Sequence, residues 1–186
     1  MLNKICVYCG SSPGGRAEYI EGAKTLAKLF VQREIELVYG GASVGLMGVM
    51  ADTVLQNGGR VTGIIPEDLV KREVAHNGLT ELKVVLSMHE RKAQMAELSE
   101  GFIALPGGLG TIEELFEVLT WAQLGFHQKP VGILNLCGYY DHLSSFLDHT
   151  VSEQFVKPTH RAMLIVEDDP EKLIARFETY ESPVVE

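Results

Sequence analysis

Strand-like and helix-like segments alternate along most of this 186-residue chain. The strand-like runs are short and apolar, and each is followed by a longer stretch with apolar residues at a spacing of three to four. This alternation predicts an α/β fold, a three-layer sandwich with a mainly parallel sheet flanked by helices. We expect one domain over residues 1–186, with a flexible tail at about 181–186.

Six strands and six helices are predicted, with boundaries good to a few residues. The strands are Lys4–Cys9, Glu36–Tyr39, Arg60–Ile65, Leu82–Leu86, Phe102–Leu105 and Val131–Leu134. The helices are Ala17–Gln32, Val44–Gln56, Met88–Leu98, Ile112–Leu124, Tyr139–Glu153 and Glu171–Tyr180. Small-residue turns follow three of the strands, at residues 9–15, 40–43 and 106–108. Because ligands bind at the carboxyl ends of parallel strands, these turns are candidate binding loops, although none matches the G-x-G-x-x-G dinucleotide fingerprint.

The segment Leu105–Glu114 joins the end of a strand, a glycine-rich turn and an acidic helix start. Its three glycines let backbone amides approach a ligand closely. The helix that begins near Thr111 directs its free amides and its positive dipole end to the same place. The segment therefore predicts a phosphate site with carboxylates beside it.

Two segments match the capping box, in which a hydroxyl and an acid close the first turn of a helix. Ser87–Glu90 places Arg91 and Lys92 at a helix start, where cations oppose the dipole and indicate an anionic neighbour. Two solvated cations are the structural alternative. In the second segment, Thr111–Glu114, the helix dipole is expected to keep the acids ionised. A purely structural capping role stays open for this segment.

The composition excludes several classes of function. The net charge of −9 argues against general binding to nucleic acid or anionic membranes, and no apolar run is long enough to span a membrane. The N-terminal residues enter a strand pattern without a secretory leader, so we expect a cytoplasmic protein. Three sparse cysteines suit a reducing compartment, and Cys6 and Cys9 lack the further ligands of a metal site. No metal and no cofactor are expected.

The stretch Leu115–Leu124 is apolar around most of its helical circumference. One face of a sheet cannot cover so many apolar side chains. We therefore favour a second subunit packing here over deep burial within one chain, because homo-oligomers commonly use two-fold patches.

Four segments together resemble the LOG ("Lonely guy") family of cytokinin riboside 5'-monophosphate phosphoribohydrolases. They are Gly40–Gly41, Gly45–Gly48, Met88–Lys92 and Pro106–Glu114. The last two contain the signatures M-H-x-R-K and P-G-G-x-G-T-x-x-E, and the resemblance extends over nearly the whole chain. It implies a Rossmann-like fold and a homodimer with the site near the interface. Similar sequences are also labelled lysine decarboxylases, but no feature here supports a pyridoxal phosphate site.

The resemblance also implies a reaction and the residues that perform it. The N-glycosidic bond of adenosine 5'-monophosphate, with or without an N6 substituent, is cleaved to free base (cytokinin or adenine) and ribose 5-phosphate. Arg91 and Glu114 match the catalytic positions. The positions that match substrate contacts are Glu73, Arg91, Lys92, Gly107, Gly108, Leu109, Gly110, Thr111, Ile112, Glu113 and Thr120. The alternatives are a non-catalytic carrier of a nucleotide or phosphorylated cofactor and a broader nucleotide nucleosidase in purine salvage.

Overall fold

A computed structural model describes residues 2–71 and 74–183 of the chain. The strands in these residues are β1 (Lys4–Tyr8), β2 (Glu36–Tyr39), β3 (Val61–Pro66), β4 (Glu81–Val85), β5 (Gly101–Ala104), β6 (Val131–Leu134) and β7 (Leu164–Glu167). They form one sheet in the order β4-β3-β2-β1-β5-β6-β7, and every neighbouring pair is parallel. The predicted parallel α/β fold is confirmed.

Helices cover both faces of the sheet. The longer ones are α1 (Ala17–Gln32), α2 (Gly45–Gln56), α4 (Met88–Leu98), α5 (Leu109–Gln123), α6 (Asp141–Ser152) and α8 (Pro170–Glu178). The single-turn helices are α3 (Glu67–Val70) and α7 (Pro158–Arg161), and a 3-10 turn spans Leu136–Gly138. No helix of the described chain is both long and apolar enough to cross a membrane.

Alternate residues of each strand pack into two separate apolar layers. Ile5 and Val7 of β1 point to the layer that contains α1, α2 and α8. Cys6 and Tyr8 point to the opposite layer, against α4, α5 and α6. The period of two along β1 thus explains why its last four residues, Ile5–Tyr8, are all apolar, because both faces of the strand are buried there.

The structure differs from the predicted elements mainly at one edge of the sheet. Strand β7 was not predicted, since no element was assigned to the stretch between the predicted helices Tyr139–Glu153 and Glu171–Tyr180. Helix α5 begins at Leu109, three residues before the predicted Ile112. Of the tail expected at about 181–186, residues 184–186 lie outside the described residues.

The order of the strands reverses between β1 and β5, which opens a crevice at their carboxyl ends. The loops after β1, β2 and β5 meet there. The Gly10 amide donates to the Pro106 carbonyl at 3.1 Å, and the Leu46 amide at the start of α2 donates to the Gly10 carbonyl at 3.0 Å. The three glycine-containing turns therefore form one continuous rim around the crevice.

Candidate active site

A cavity of about 420 Å³ lies in this crevice. Its walls come from the loops after β1 and β2, from α4 and from the start of α5. Among the described residues, the charged side chains that line it are Arg91, Glu113 and Glu114. The same cavity is lined by the apolar side chains of Val44, Met47, Leu69, Val74 and Met88. The cavity therefore combines charged and apolar side chains.

Arg91 of α4 is buried, and its guanidinium is bound by three separate elements. Nε donates to the Ile64 carbonyl of β3 at 3.1 Å, and Nη2 donates to the Gly40 carbonyl at the end of β2 at 3.3 Å. Nη1 donates to Glu114 Oε1 at 3.2 Å. Two backbone oxygens thus fix the guanidinium and direct it at Glu114. The structure brings together two predicted residues that are distant in sequence.

Glu114 of α5 lines the cavity with only 11% of its side chain exposed. Burial raises the pKa of this carboxyl to about 6, Arg91 opposes the shift, and Glu113 adds to it. Burial disfavours the charged form more than the single guanidinium favours it. The carboxyl therefore changes its protonation near neutral pH.

The predicted capping box at Thr111–Glu114 is wrong. Helix α5 begins at Leu109 with Gly108 at the N-cap, so Thr111 lies inside the first turn and Glu114 lies in the second. The physical reason is Gly107, where a Cβ atom would overlap Thr111 Oγ1, so the glycine lets the chain enter the helix early. The dipole was also expected to favour the ionised form of Glu114, but burial raises the pKa of this carboxyl instead, and the dipole acts mainly within the first turn.

The other predicted capping box, Ser87–Glu90, is confirmed at Ser87. Its Oγ accepts a hydrogen bond from the Glu90 amide at 3.1 Å, and Glu90 Oε2 accepts one from the Leu86 amide at 2.9 Å. The reciprocal bond goes to Leu86 rather than to Ser87 itself. The cap fixes the first turn of α4, from which Arg91 projects into the cavity.

Three helices that follow the glycine-containing turns begin without side-chain caps. The N-cap residues Arg16 of α1, Val44 of α2 and Gly108 of α5 make no capping hydrogen bond through a side chain. In contrast, Ser87 caps α4 and Asp169 caps α8. The first amides of α2 and α5 therefore lack side-chain caps next to the cavity, as an anion site requires.

Lys92 does not line the cavity, although it follows Arg91 directly. Its Nζ lies 2.6 Å from Glu113 Oε1 and 3.0 Å from Glu117 Oε1, and its side chain is 12% exposed. The hydrogen bond to Glu113 raises the pKa of Lys92, and Glu117 adds to this effect. Lys92 therefore joins α4 to α5 behind the cavity wall.

The other predicted contact residues fall into several groups. Those that line the cavity are Gly108, Leu109, Gly110, Thr111 and Glu113. Gly107 lines an adjoining cavity of about 270 Å³, and Ile112 is half-buried in α5 outside both. Glu73 lies outside the described residues.

Thr120 does not reach the cavity in this chain. It is exposed and borders a separate cleft of about 110 Å³. It stands six residues beyond Glu114 in α5, which is about 9 Å along the helix axis. A contact between Thr120 and a ligand beside Glu114 therefore requires another subunit.

The sequence analysis missed residues that act through backbone groups or through apolar contact. Tyr139 donates its hydroxyl to the Gly107 carbonyl at 2.6 Å and so holds the glycine loop. Met47 and Met88 border Arg91, with Met88 Sδ at 4.0 Å from Nη1. The pair Gly40–Gly41 was the one available signal, because a Cβ at Gly40 would overlap the guanidinium.

Cys6 and Cys9 point to opposite apolar layers, as their odd spacing on β1 predicts. Both are buried, and burial raises the pKa of each thiol far above its ordinary value. They remain protonated at neutral pH and are therefore poor nucleophiles.

Comparison with known sequences identifies the family that this chain is similar to. The family model that matches this chain is described as "Possible lysine decarboxylase" and matches residues 47–177. A cytokinin riboside 5'-monophosphate phosphoribohydrolase of Arabidopsis thaliana, LOG1, is 49% identical over 179 residues, which are 96% of this chain and 84% of the relative. The Oryza sativa subsp. japonica protein of the same description, LOG, is 50% identical over 179 residues, which are 96% of this chain and 74% of that protein.

Solved structures share the fold at lower sequence identity. A molybdenum cofactor binding protein from Rippkaea orientalis superposes with a TM-score of 0.72 at 23% identity, covering 96% of this chain and 97% of the other. A Moco carrier protein from Chlamydomonas reinhardtii gives a TM-score of 0.72 at 20% identity, with the same two coverages. At this level of identity the likeness shows the fold alone.

Proposed function

This chain belongs to the LOG family of cytokinin riboside 5'-monophosphate phosphoribohydrolases, and we propose that it hydrolyses the N-glycosidic bond of adenosine 5'-monophosphate, with or without an N6 substituent. The products are the free base and ribose 5-phosphate. The observation that carries the proposal is the buried pair of Arg91 and Glu114, with atoms 3.2 Å apart, beside the uncapped start of α5 in one cavity.

The 5'-phosphate is placed at the start of α5. The amides of Leu109, Gly110 and Thr111 belong to the first turn of a 15-residue helix that lacks a side-chain cap. Such amides, together with the helix dipole, bind phosphate without a basic side chain. The glycines of the loop let the phosphate approach the backbone closely.

Glu114 is the residue we assign to the reacting carbon. As the bond between C1' and the base breaks, C1' gains positive charge, and a nearby carboxylate stabilises it. The same carboxylate orients the attacking water and takes one of its protons as the hydroxyl bonds to C1'. The departing base takes up one proton from solvent and Glu114 returns its proton to solvent, so one water is consumed for each bond cleaved. A pKa of about 6 leaves Glu114 mostly ionised at neutral pH and still basic enough to accept this proton.

Arg91 holds Glu114 in the orientation that this step needs. Its Nε and Nη2 are committed to the backbone oxygens of Ile64 and Gly40, so Nη1 presents a fixed donor to the carboxylate. The planar guanidinium also opposes the effect of burial on Glu114 and so keeps more of the carboxyl ionised. Its remaining N–H groups can donate to the substrate.

We assign the base to the apolar part of the cavity lining. Met47 and Met88 border the guanidinium, and Val44 and Leu69 continue the same wall. A flat purine packs well against such side chains. Methionine side chains adapt to different shapes, so this wall can accept an N6 substituent.

We also propose that the protein forms a homodimer that covers exposed apolar side chains beyond α5. Leu124 is 57% exposed, Phe126 is 74% exposed and Phe146 is 59% exposed. Apolar side chains exposed to this degree on adjacent elements are typical of interaction surfaces. Thr120 is exposed on α5 as well, so its predicted substrate contact would be made to the site of the partner.

Base release from a panel of nucleotides tests the proposed activity. Purified protein is incubated with AMP, N6-isopentenyl-AMP, GMP and CMP, and free base and ribose 5-phosphate are quantified by chromatography. We expect release from the adenine nucleotides, and a loss of at least about 100-fold in Arg91→Ala. Nucleotide that co-elutes intact with the protein would favour the carrier instead. Equal release from GMP and CMP would favour the broader nucleosidase.

A further inference from the structure

Two carboxylates on one face of α5 share a single lysine. Glu113 and Glu117 are one helical turn apart, a spacing at which like charges repel. Lys92 Nζ lies between them, 2.6 Å from one oxygen and 3.0 Å from the other. Lys92 and Glu117 have 12% and 25% of their side chains exposed, whereas Glu113 is 55% exposed, so the bridge is shielded from solvent mainly on its Glu117 side.

The bridge lies directly behind the catalytic pair that we propose. Lys92 and Glu117 do not line the cavity, whereas Glu113 and Glu114 do. An ammonium has three N–H donors, and two of those on Lys92 point to carboxylates. A direct contact between Lys92 and a substrate phosphate would have to use the third donor, and Lys92 does not line the cavity.

We propose that Glu117 is a positioning residue, which acts through Lys92 to hold Glu113 at the cavity wall and to set α5 against α4 so that Arg91 meets Glu114. This role rests on the proposed function. Lys92 and Arg91 are consecutive on α4, and Glu113 and Glu114 are consecutive on α5. The ion pair between Lys92 and Glu113 therefore fixes the spacing of α4 and α5 at the reacting centre.

Two helices place charged side chains around the Glu114 carboxyl: Arg91 and Lys92 on α4, and Glu113 and Glu117 on α5. The titratable groups that pack there from β1 and the residue after it, Cys6, Tyr8 and Cys9, stay neutral at neutral pH. Lys92 lowers the pKa of Glu114 and Glu117 raises it. Removal of either charge should therefore move the titration of Glu114, in opposite directions.

The test compares Glu117→Gln, Lys92→Met and the double variant with the wild type. We expect kcat to fall about fivefold in E117Q and about tenfold in K92M, with KM changed less than about twofold, because the lost interaction orients groups rather than binding substrate. The double variant should be no worse than K92M, since both changes break one bridge. Glu97→Gln, an exposed carboxylate further along α4, is the matched control and should behave as the wild type.

A pH profile separates positioning from a merely structural role. We expect the acid limb of kcat to move to lower pH by about half a unit in E117Q and to higher pH in K92M. Carboxyl ¹³C NMR of Glu114 should show the same opposite shifts without any turnover, with thermal unfolding as the check that each variant is folded. A role of Lys92 as a substrate ligand predicts instead a large rise of KM in K92M and a fall of KM in E117Q.

The outcomes distinguish this inference from the function on which it rests. A wild type that releases no base from any nucleotide would overturn the proposed function, while the NMR titrations would still decide the bridge. An active wild type with an E117Q variant of unchanged kcat, unchanged pH profile and unchanged Glu114 titration would overturn the role of Glu117 alone.

Discussion

Two carboxylates with equal exposed fractions lie at opposite ends of the parallel strands, and their pKa values are shifted in opposite directions. Glu36 lies at the amino end of β2 and Glu114 lies at the carboxyl ends of the strands, and each has 11% of its side chain exposed. Glu36 accepts hydrogen bonds from Thr62 Oγ1 at 2.7 Å, Lys4 Nζ at 3.2 Å and Arg60 Nε at 3.4 Å. Burial raises the pKa of Glu36, but these donors outweigh burial and hold the pKa below its ordinary value.

Glu114 has the same exposed fraction, but it lies deeper among protein atoms and receives fewer donors. Arg91 donates to one of its oxygens, and two further carboxylates of α5 lie nearby, so its pKa rises to about 6. The comparison teaches that the exposed fraction alone does not decide the state of a carboxyl in this fold, because the number of donors and the depth among protein atoms act together. At the amino ends of the strands, Glu36 is stabilised as a carboxylate by its hydrogen-bond donors. At the carboxyl ends, Glu114 has too few donors to offset its burial, and it lies where a ligand can reach it.

The largest expected effect is on activity, from the isosteric change Glu114→Gln. We expect kcat for base release to fall about 1,000-fold, because glutamine can neither stabilise positive charge at C1' nor accept the proton of water. Chromatography of the free base measures this loss. The matched change at the other edge, Glu36→Gln, should leave kcat within a factor of about two, since Glu36 does not line the cavity.

Full activity in Glu114→Gln would contradict the proposed difference in role between Glu114 and Glu36. It would mean that Glu114, like Glu36, serves structure alone. The structure already argues against a capping role, because the N-cap of α5 is Gly108 and Glu114 lies in the second turn.

The next effect concerns how Arg91 is held. In Gly40→Ala, the new Cβ would overlap Arg91 Nη2, so the guanidinium must move away from Glu114. We expect kcat to fall about 30-fold with a smaller change in melting temperature, because a displaced orienting group costs more in rate than in packing. Gly15→Ala is the control, since nothing lies within 4 Å of a Cβ at that position.

A Gly40→Ala protein with normal kcat would show that catalysis does not depend on the position of the Arg91 guanidinium. Loss of both folding and activity would place Gly40 in the core rather than in the site. Circular dichroism and thermal unfolding on the same preparations distinguish these two results from the expected one.

The smallest effect is the pH dependence of stability, which should have opposite signs at the two edges. The pKa of Glu114 is raised from 4.5 to about 6 in the folded protein, so the folded state binds the proton more tightly and this group costs stability as pH rises through that window. Relative to Glu114→Gln, the wild type should therefore lose about 2 kcal/mol of unfolding free energy between pH 4.5 and pH 7.

Glu36 should behave in the reverse manner. Its pKa is lowered on folding, so its contribution is present above its ordinary pKa and is lost as pH falls through the folded pKa. Urea unfolding of Glu36→Gln and wild type over the acid range measures this difference. A wild-type advantage that grew, rather than shrank, as the pH fell would contradict the assignment.

The local sequence was sufficient for most of the architecture. The strands β2 and β6 and the helices α1 and α4 have the predicted boundaries, because a period of two or of 3.6 in apolar residues is a property of consecutive residues. Strand β7 was missed as well as the single-turn helices α3 and α7, since a helix of four residues is too short to display a period of 3.6.

The site was predictable in its parts but not in its electrostatics. Glycine turns and capping patterns indicated an anion pocket and cations beside it, since these motifs are local chemistry. The withdrawal of Lys92 into a bridge with Glu113 and Glu117 was not visible, because those acids belong to another helix. The same holds for Thr120, whose predicted ligand contact requires knowledge of which face of α5 is open.

The sequence by itself therefore determined the parallel α/β layers and the edge at which a ligand binds, because hydrophobic periodicity and turn residues act over a few positions. Only the tertiary structure decided that α5 starts at Leu109, that Arg91 meets Glu114 across 23 residues, and that the pKa of Glu114 is raised rather than lowered. The physical reason is that burial and long-range charge depend on which elements pack together. Equal carboxylates such as Glu36 and Glu114 diverge only once the fold has supplied their neighbours.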